Sequence, residues 1–214
     1  MQTRTAPRTR REKNAEASRK AILDAALVEF STQGFDGARV DTIAARAGVS
    51  KPLIYDYYGD KEALYGAALL EAYVQIRQGE QALDLEGLEP DAAIRKLVRF
   101  TMDHFRENPW FIAMLNTENL RGGETIRSLR DAAEIQSGLM RKLKTILDKG
   151  VEKKMFRPGV DPAELYIFIA SMCYFPLSNR HTLRMVFKAP IDDAWLERRA
   201  REAGEMILQF LRPR

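Results

Sequence analysis

Val40–Lys61, VDTIAARAGVSKPLIYDYYGDK, is the stretch whose reading decides the fold. It reads as two short helices joined by a tight turn. Ile43, Ala44 and Ala47 give the first helix an apolar face, and Ala44 is small where a second helix would cross closely. Gly48 can take the positive φ that a sharp turn demands. Val49 plugs the angle between the helices, and Ser50 is a good N-cap for the next one. Pro52 fits only a first helical turn, which places the second helix from Pro52 to about Tyr58. Leu53 and Ile54 are available to pack inward. Helix, three-residue turn and helix match a helix-turn-helix whose second member enters the DNA major groove.

Working outward, the segments 43–65 (IAARAGVSKPLIYDYYGDKEALY) and 21–40 (AILDAALVEFSTQGFDGARV) extend the pattern on both sides. Together, over roughly residues 18–70, order, spacing and residue type resemble the DNA-binding region of the TetR family of bacterial transcriptional regulators. The resemblance implies an all-α fold. An N-terminal three-helix helix-turn-helix domain (15–60) is followed by a larger helical effector-binding and dimerisation domain (61–214), with a disordered basic arm at 1–14. It also implies a repressor that binds a palindromic double-stranded DNA operator as a homodimer and is released by a small-molecule effector. Beyond residue 70 no motif can be matched, and the likeness is one of length and helical character.

Composition agrees with a globular protein. The 214 residues are long enough to bury a real core. The one cysteine, Cys173, rules out a disulfide framework within the chain and fits a reducing cytosol. MQTRTAPRTRREKNAE has no apolar run of the kind a secretory signal carries, and no stretch is long enough to span a bilayer. A cytoplasmic protein without membrane partner or cofactor is expected. The net charge of +4 is uneven: residues 1–20 hold seven basic side chains against two acidic ones. A basic arm beside a helix-turn-helix suits phosphate or minor-groove contact, and equally suits a solvated tail.

The remaining helices follow from periodicity. A first helix is expected from about Ala15 to Thr32, with Ile22, Leu23, Ala25, Ala26 and Phe30 facing the motif and Gly34 ending it. A fourth begins near Asp60 and passes Tyr73, with GEQALDLEGLEP (79–90) read as its frayed end and a loop. A fifth starts at Pro90 or Asp91 with an apolar face of Ile94, Leu97, Val98, Thr101 and Phe105. Pro109 breaks it, and a short sixth helix runs to Gly122 and Gly123. A long seventh is expected from about Glu124 to Lys153. An eighth opens on Asp161, Pro162 and Glu164, a capping box. Leu165–Leu177 carries no charge and should be buried on more than one side. At about 20 Å it is too short for a bilayer core of roughly 30 Å. A ninth runs from about Asp192 to Leu211.

On the recognition helix, lysines can neutralise phosphates, and tyrosines can bond phosphate oxygens or touch thymine methyls. The resemblance places DNA contacts at Ser50, Lys51, Pro52, Tyr55, Tyr57 and Lys61. Tyr58, above the others, is expected to pack inside. Two departures stand out. Arg39 and Val40, with Thr42 a little later, open the second helix where the family commonly has hydroxyl residues, so Arg39 and Thr42 are the contacts expected there. Asp56 puts a carboxylate near phosphates, which repels them unless it accepts from a cytosine amine; it is the candidate for sequence choice.

The resemblance further implies dimerisation through the last two helices, here through Leu165, Phe168, Ile169, Met172, Trp195, Ala203, Ile207 and Phe210. The same residues could instead close a monomer core. An effector pocket within the fifth to eighth helices would use His104, Trp110, Met114, Asn116, Asn119, Gln136, Met140 and Tyr174, each of which could equally be plain core. A ligand-independent architectural or adaptor protein of the same fold is the runner-up, and an activator is not separable from a repressor. Two histidines, no HExxH or CxxC spacing and no glycine-rich phosphate loop argue against an enzyme.

Overall fold

The helical reading of Val40–Lys61 extends to the rest of the chain. The computed structural model describes residues 10–129 and 132–213, with side chains throughout except at 11–13 and 132–137. Eleven helices and no strand form among the described residues. They are α1 (Arg10–Gly37), α2 (Val40–Ala47), α3 (Lys51–Tyr58), α4 (Lys61–Ala82), α5 (Pro90–Glu107), α6 (Pro109–Leu120), α7 (Glu124–Ser128), α8 (Ala132–Glu152), α9 (Pro162–Ser178), α10 (Arg180–Val186) and α11 (Asp193–Leu211). None is long and apolar enough to cross a membrane. The chain divides into two compact units. One holds the described residues up to Ala72 together with Met114–Leu129; the other holds Tyr73–Ala113 and the described part of Arg130–Arg214.

In the first unit, α1 buries Ile22, Ala25, Ala26 and Phe30 against α2, whose inner face is Val40, Ile43 and Ala44. Gly34, at φ 68, breaks α1 near its end. Phe35 then folds back, so that Phe30, Phe35 and Tyr65 form a ring cluster with centroids 5.0–6.2 Å apart. The positions 1–9 of the expected basic arm lie outside the described residues. From Arg10 the chain is already helical, upstream of the start expected at Ala15.

In the second unit, α5, α9 and α11 pack on one another. α5 supplies Ala93, Ile94, Leu97, Val98, Thr101, Met102 and Phe105 as its buried stripe. α9 starts on a cap that the sequence announces: Asp161 Oδ1 accepts from the N–H groups of Ala163 and Glu164 at 2.8 and 3.0 Å. Cys173 is fully buried, its Sγ 3.7 Å from Val98 O.

Four expectations are corrected. The long seventh helix is two, because Leu129 is extended (φ −75, ψ 105). Its first piece is held by polar bonds: Thr125 Oγ1 donates to Glu62 and Ile126 N–H to Glu118. These ties override the apolar periodicity that runs on into α8. The tenth helix, α10, was not expected; Asn179 opens it and Arg184 fixes its end by donating to Ile191 O. α4 runs to Ala82, through residues read as frayed, because Arg77 and Glu80 are buried and bonded there. The chargeless stretch of α9, Leu165–Leu177, is buried on one side only, leaving Ile167, Phe168 and Phe175 exposed.

Candidate nucleic-acid interface

Local chemistry shapes the turn between α2 and α3. Gly48 sits at φ 67 and its N–H caps Ala44 and Ala45, while Val49 N–H reaches Ala44 O at 3.1 Å. Ser50 is the N-cap of α3, extended at φ −79, ψ 147, with no side-chain cap bond. Its hydroxyl is therefore not spent within the helix. Ile54 is the inward anchor of α3, at 1% exposed. Ser50, Pro52, Tyr55 and Asp56 are exposed on the opposite side, and Lys51, Leu53, Tyr57 and Tyr58 are half-buried. Tyr58 turns back into the unit, donating to Arg19 O at 3.3 Å. Tyr57 stands edge-on to Tyr58, with the Arg19 guanidinium 4.7 Å from its ring centre.

The charges around this face are partly committed. Lys51 Nζ donates to Asp41 on α2 at 2.9 Å, and this bond raises the Lys51 pKa. Lys61 Nζ reaches Asp36 O at 3.3 Å and lies 4.9 Å from the Phe35 ring centre. Arg39 and Thr42 are exposed at the start of α2. The Arg39 backbone N–H is held by Glu29 Oε1 at 3.1 Å. Glu29 is thus a buried carboxylate that serves the N-terminus of α2 from the preceding helix, where the macrodipole favours an anion. No local sign of it can be read from the residues around Arg39, since capping residues are sought beside the helix they cap.

Behind the motif, the first turn of α4 is tied to the α6–α7 corner. Glu62 accepts from Arg121 Nη2 at 2.8 Å and from Thr125 Oγ1 at 2.9 Å. The Arg121 guanidinium carbon also lies over the Phe35 ring, 3.6 Å from its centre. Gly66 makes this approach possible: a Cβ there would stand 3.3 Å from Thr125.

The effector residues expected from the sequence divide between the units. His104, Trp110, Met140 and Tyr174 fall in the second, Met114, Asn116 and Asn119 in the first. Gln136 lies outside the described side chains. Asn119 is exposed and donates to Leu115 O of its own helix, which takes it out of an enclosed lining. Met114 is fully buried, while Asn116 and Met140 are half-buried.

His104 is the centre of an aromatic cluster. Phe100 stacks on it at 6.0 Å, Phe111 meets it edge-on at 5.3 Å, and Phe105 bridges to Tyr174. Burial, aided by the Arg77 charge and opposed by Glu107, pushes the imidazole pKa down to about 4.

The sequence reading missed the most polar feature of this unit. Arg77 and Glu80 on α4 and Tyr166 on α9 are all buried. Arg77 Nη1 donates to Glu80 Oε2 and to Tyr166 Oη, and the tyrosine hydroxyl donates to Glu80 Oε1 at 2.9 Å. Breaking such a pair from one side costs about 3–5 kcal/mol, because the other charge is left buried. The i, i+3 spacing of Arg77 and Glu80 was the available signal.

The dimer residues also separate. Leu165, Ile169, Ala203 and Ile207 are buried by the chain's own packing of α5, α9 and α11, so they are corrected from surface to core. Phe168 (42% exposed) and Phe210 (40%) remain at the surface, their rings 5.3 Å apart, and Met172 and Trp195 are half-buried. Ile167, Phe175 and Met206 are exposed apolar side chains that the sequence reading did not single out.

Comparison with known proteins accords with this geometry. Residues 22–68 match the model described as bacterial regulatory proteins, tetR family, and residues 90–207 match the tetracyclin repressor-like C-terminal domain. The HTH-type transcriptional repressor NicS of Pseudomonas putida is 35% identical over 183 residues, 86% of each chain. The HTH-type transcriptional regulator RutR of Escherichia coli is 28% identical over 212 residues, covering 96% of this chain and 95% of its own. Among solved structures, a TetR-family regulator from Mesorhizobium loti superposes with a TM-score of 0.67 at 20% identity, over 96% of this chain and all of that one. At that identity the likeness speaks for the fold. The two matched domains and the NicS likeness over most of both chains establish that this protein belongs to the TetR family and is a DNA-binding transcriptional regulator, not an enzyme.

Proposed function

We propose that the protein is a repressor that binds a palindromic operator as a homodimer and lets go when a small molecule occupies its C-terminal region. Residues 15–60 read the DNA, and residues 61–214 bind the effector and the second copy. The observation that carries the DNA reading is the outward face of α3, where Ser50, Pro52, Tyr55 and Asp56 stand exposed over the Ile54 anchor. Lys51, Tyr57, Lys61, Arg39 and Thr42 flank it and supply phosphate contacts. One such helix reads only a few base pairs, so two copies are needed for specificity. The apolar side chains left exposed on α9 and α11, Ile167, Phe168, Phe175, Met206 and Phe210, are the surface a second copy would cover.

Connectivity suggests the mechanism. α4 runs unbroken from the helix-turn-helix unit at Lys61 into the other unit at Ala82. An effector that binds one position of α4 better than another shifts the population of the dimer away from the half-site spacing the operator requires. The effect is reciprocal between effector and operator. Selection of bound sequences from a random DNA pool tests the reading. The expected outcome is an inverted repeat whose half-sites lie about 34–36 Å apart, or a multiple of it. Enrichment of a single asymmetric half-site, or of nothing, would remove the dimeric repressor.

A further inference from the structure

α1 meets the end of α3 at Arg19. The Arg19 backbone carbonyl accepts the Tyr58 hydroxyl at 3.3 Å, and the guanidinium carbon stands 4.7 Å from the centre of the Tyr57 ring. Tyr58 is edge-on to that same ring, at 6.4 Å and 86°. Tyr57 is therefore held by two neighbours, one of them on a different helix. Its hydroxyl direction follows from the plane in which the ring is held.

Stacking engages the flat face of a guanidinium and leaves its N–H edge for other acceptors. Among the described residues nothing takes that edge: the Arg19 side chain makes no ion pair, although Lys20 beside it donates to Asp24 at 2.6 Å. The Tyr57 hydroxyl likewise has no hydrogen-bond partner among the described residues. Arg19 is exposed and Tyr57 half-buried, so both donors are open to solvent. The lysines near the two ends of α3 differ, since Lys51 is bonded to Asp41 and Lys61 to Asp36 O. Arg19 has no such partner to give up before it meets an anion. A cationic donor and a neutral one thus stand side by side at the end of the recognition helix. A phosphate suits both. A guanidinium gives two parallel N–H bonds to its oxygens while stacked on an aromatic face, and a tyrosine hydroxyl adds a third.

We propose that Arg19 of α1 is a DNA contact, and that its N–H edge and the Tyr57 hydroxyl hold one backbone phosphate between them. This rests on Tyr57 being a phosphate contact, as in the reading above. The contact comes from outside residues 39–61, which supply the others. It sets the orientation of the unit on the duplex and carries no choice of base.

The test uses the full chain and the operator duplex, in anisotropy titrations across a salt series. Arg19→Met keeps an apolar stem over the ring and removes the charge. At about 0.1 M salt it should weaken binding roughly tenfold per protomer and lower the salt slope by about one counterion per protomer, with the ranking of operator variants unchanged. Arg19→Lys should keep the slope and lose only part of the affinity, since an ammonium cannot bind two oxygens in a flat fork. Tyr57→Phe keeps the stack and should weaken binding at an unchanged slope. Combined with Arg19→Met, the two losses should fall short of their product, because both residues serve one phosphate. The unfolding temperature of all four variants should stay near that of the parent. An unchanged slope in Arg19→Met, or losses that multiply in the double variant, overturns the shared site; Tyr57 keeps its own reading as long as Tyr57→Phe weakens binding. Unchanged binding in Tyr57→Phe removes the shared site and the Tyr57 reading together.

Discussion

Asp41 restrains Lys51, the recognition-helix charge proposed above to meet a phosphate. Its carboxylate holds Lys51 Nζ at 2.9 Å, and both side chains face solvent. An exposed pair of this kind contributes little to stability, so its weight falls on DNA binding. Asp41→Asn should leave the fold intact, tighten operator binding a few-fold and steepen the salt dependence by about one counterion. Anisotropy titrations across a salt series would show it; an unchanged slope would mean that Lys51 touches no phosphate. The helix-turn-helix was legible at this scale because α3 is short and its neighbours in sequence are its neighbours in space. Glu29, Arg77 and Tyr166 were not. Glu29 holds a backbone N–H 10 residues away and Tyr166 lies 89 residues from Arg77, so only the fold brings these together, although Arg77 and Glu80 stand three residues apart.

Among the elements, the α2–α3 turn shows why the motif could be read directly. Gly48, Ser50 and Pro52 each act within a few residues of themselves, so backbone preference and observed geometry coincide. Gly48→Ala tests that dependence. Open space surrounds the Cβ position, so the cost is that of holding an L side chain at φ +67. About 1 kcal/mol is expected, which lowers the melting temperature by roughly 2–4 °C, measurable by calorimetry. An unchanged melting temperature would show that the turn relaxes. The division of α7 from α8 was illegible for the opposite reason. Apolar spacing runs through Leu129 without interruption, and the helix stops there while Glu62 and Glu118 hold the preceding turn by hydrogen bonds. α9 misled through composition: the absence of charge fits a helix enclosed by its own chain as well as one that keeps an apolar face outward.

At the level of the whole molecule, that outward face is the test of assembly. Ile167→Glu with Phe175→Glu should leave the unfolding temperature close to that of the parent, since both side chains are already exposed in the single chain. It should convert a dimer to a monomer by light scattering, with loss of operator binding, because one half-site alone holds too little. A doubly charged variant that remains dimeric would place the interface elsewhere.

The lone thiol has a practical side. Cys173 is sealed inside α9, and burial pushes its pKa up to about 12, so almost no reactive thiolate exists at neutral pH. Maleimide dyes and nitroxide reagents should pass over it in the native protein. A cysteine introduced at an exposed position of the operator-reading unit would then be the single labelled point, and distances between such labels in the proposed dimer would test for the proposed opening and closing against an unlabelled background.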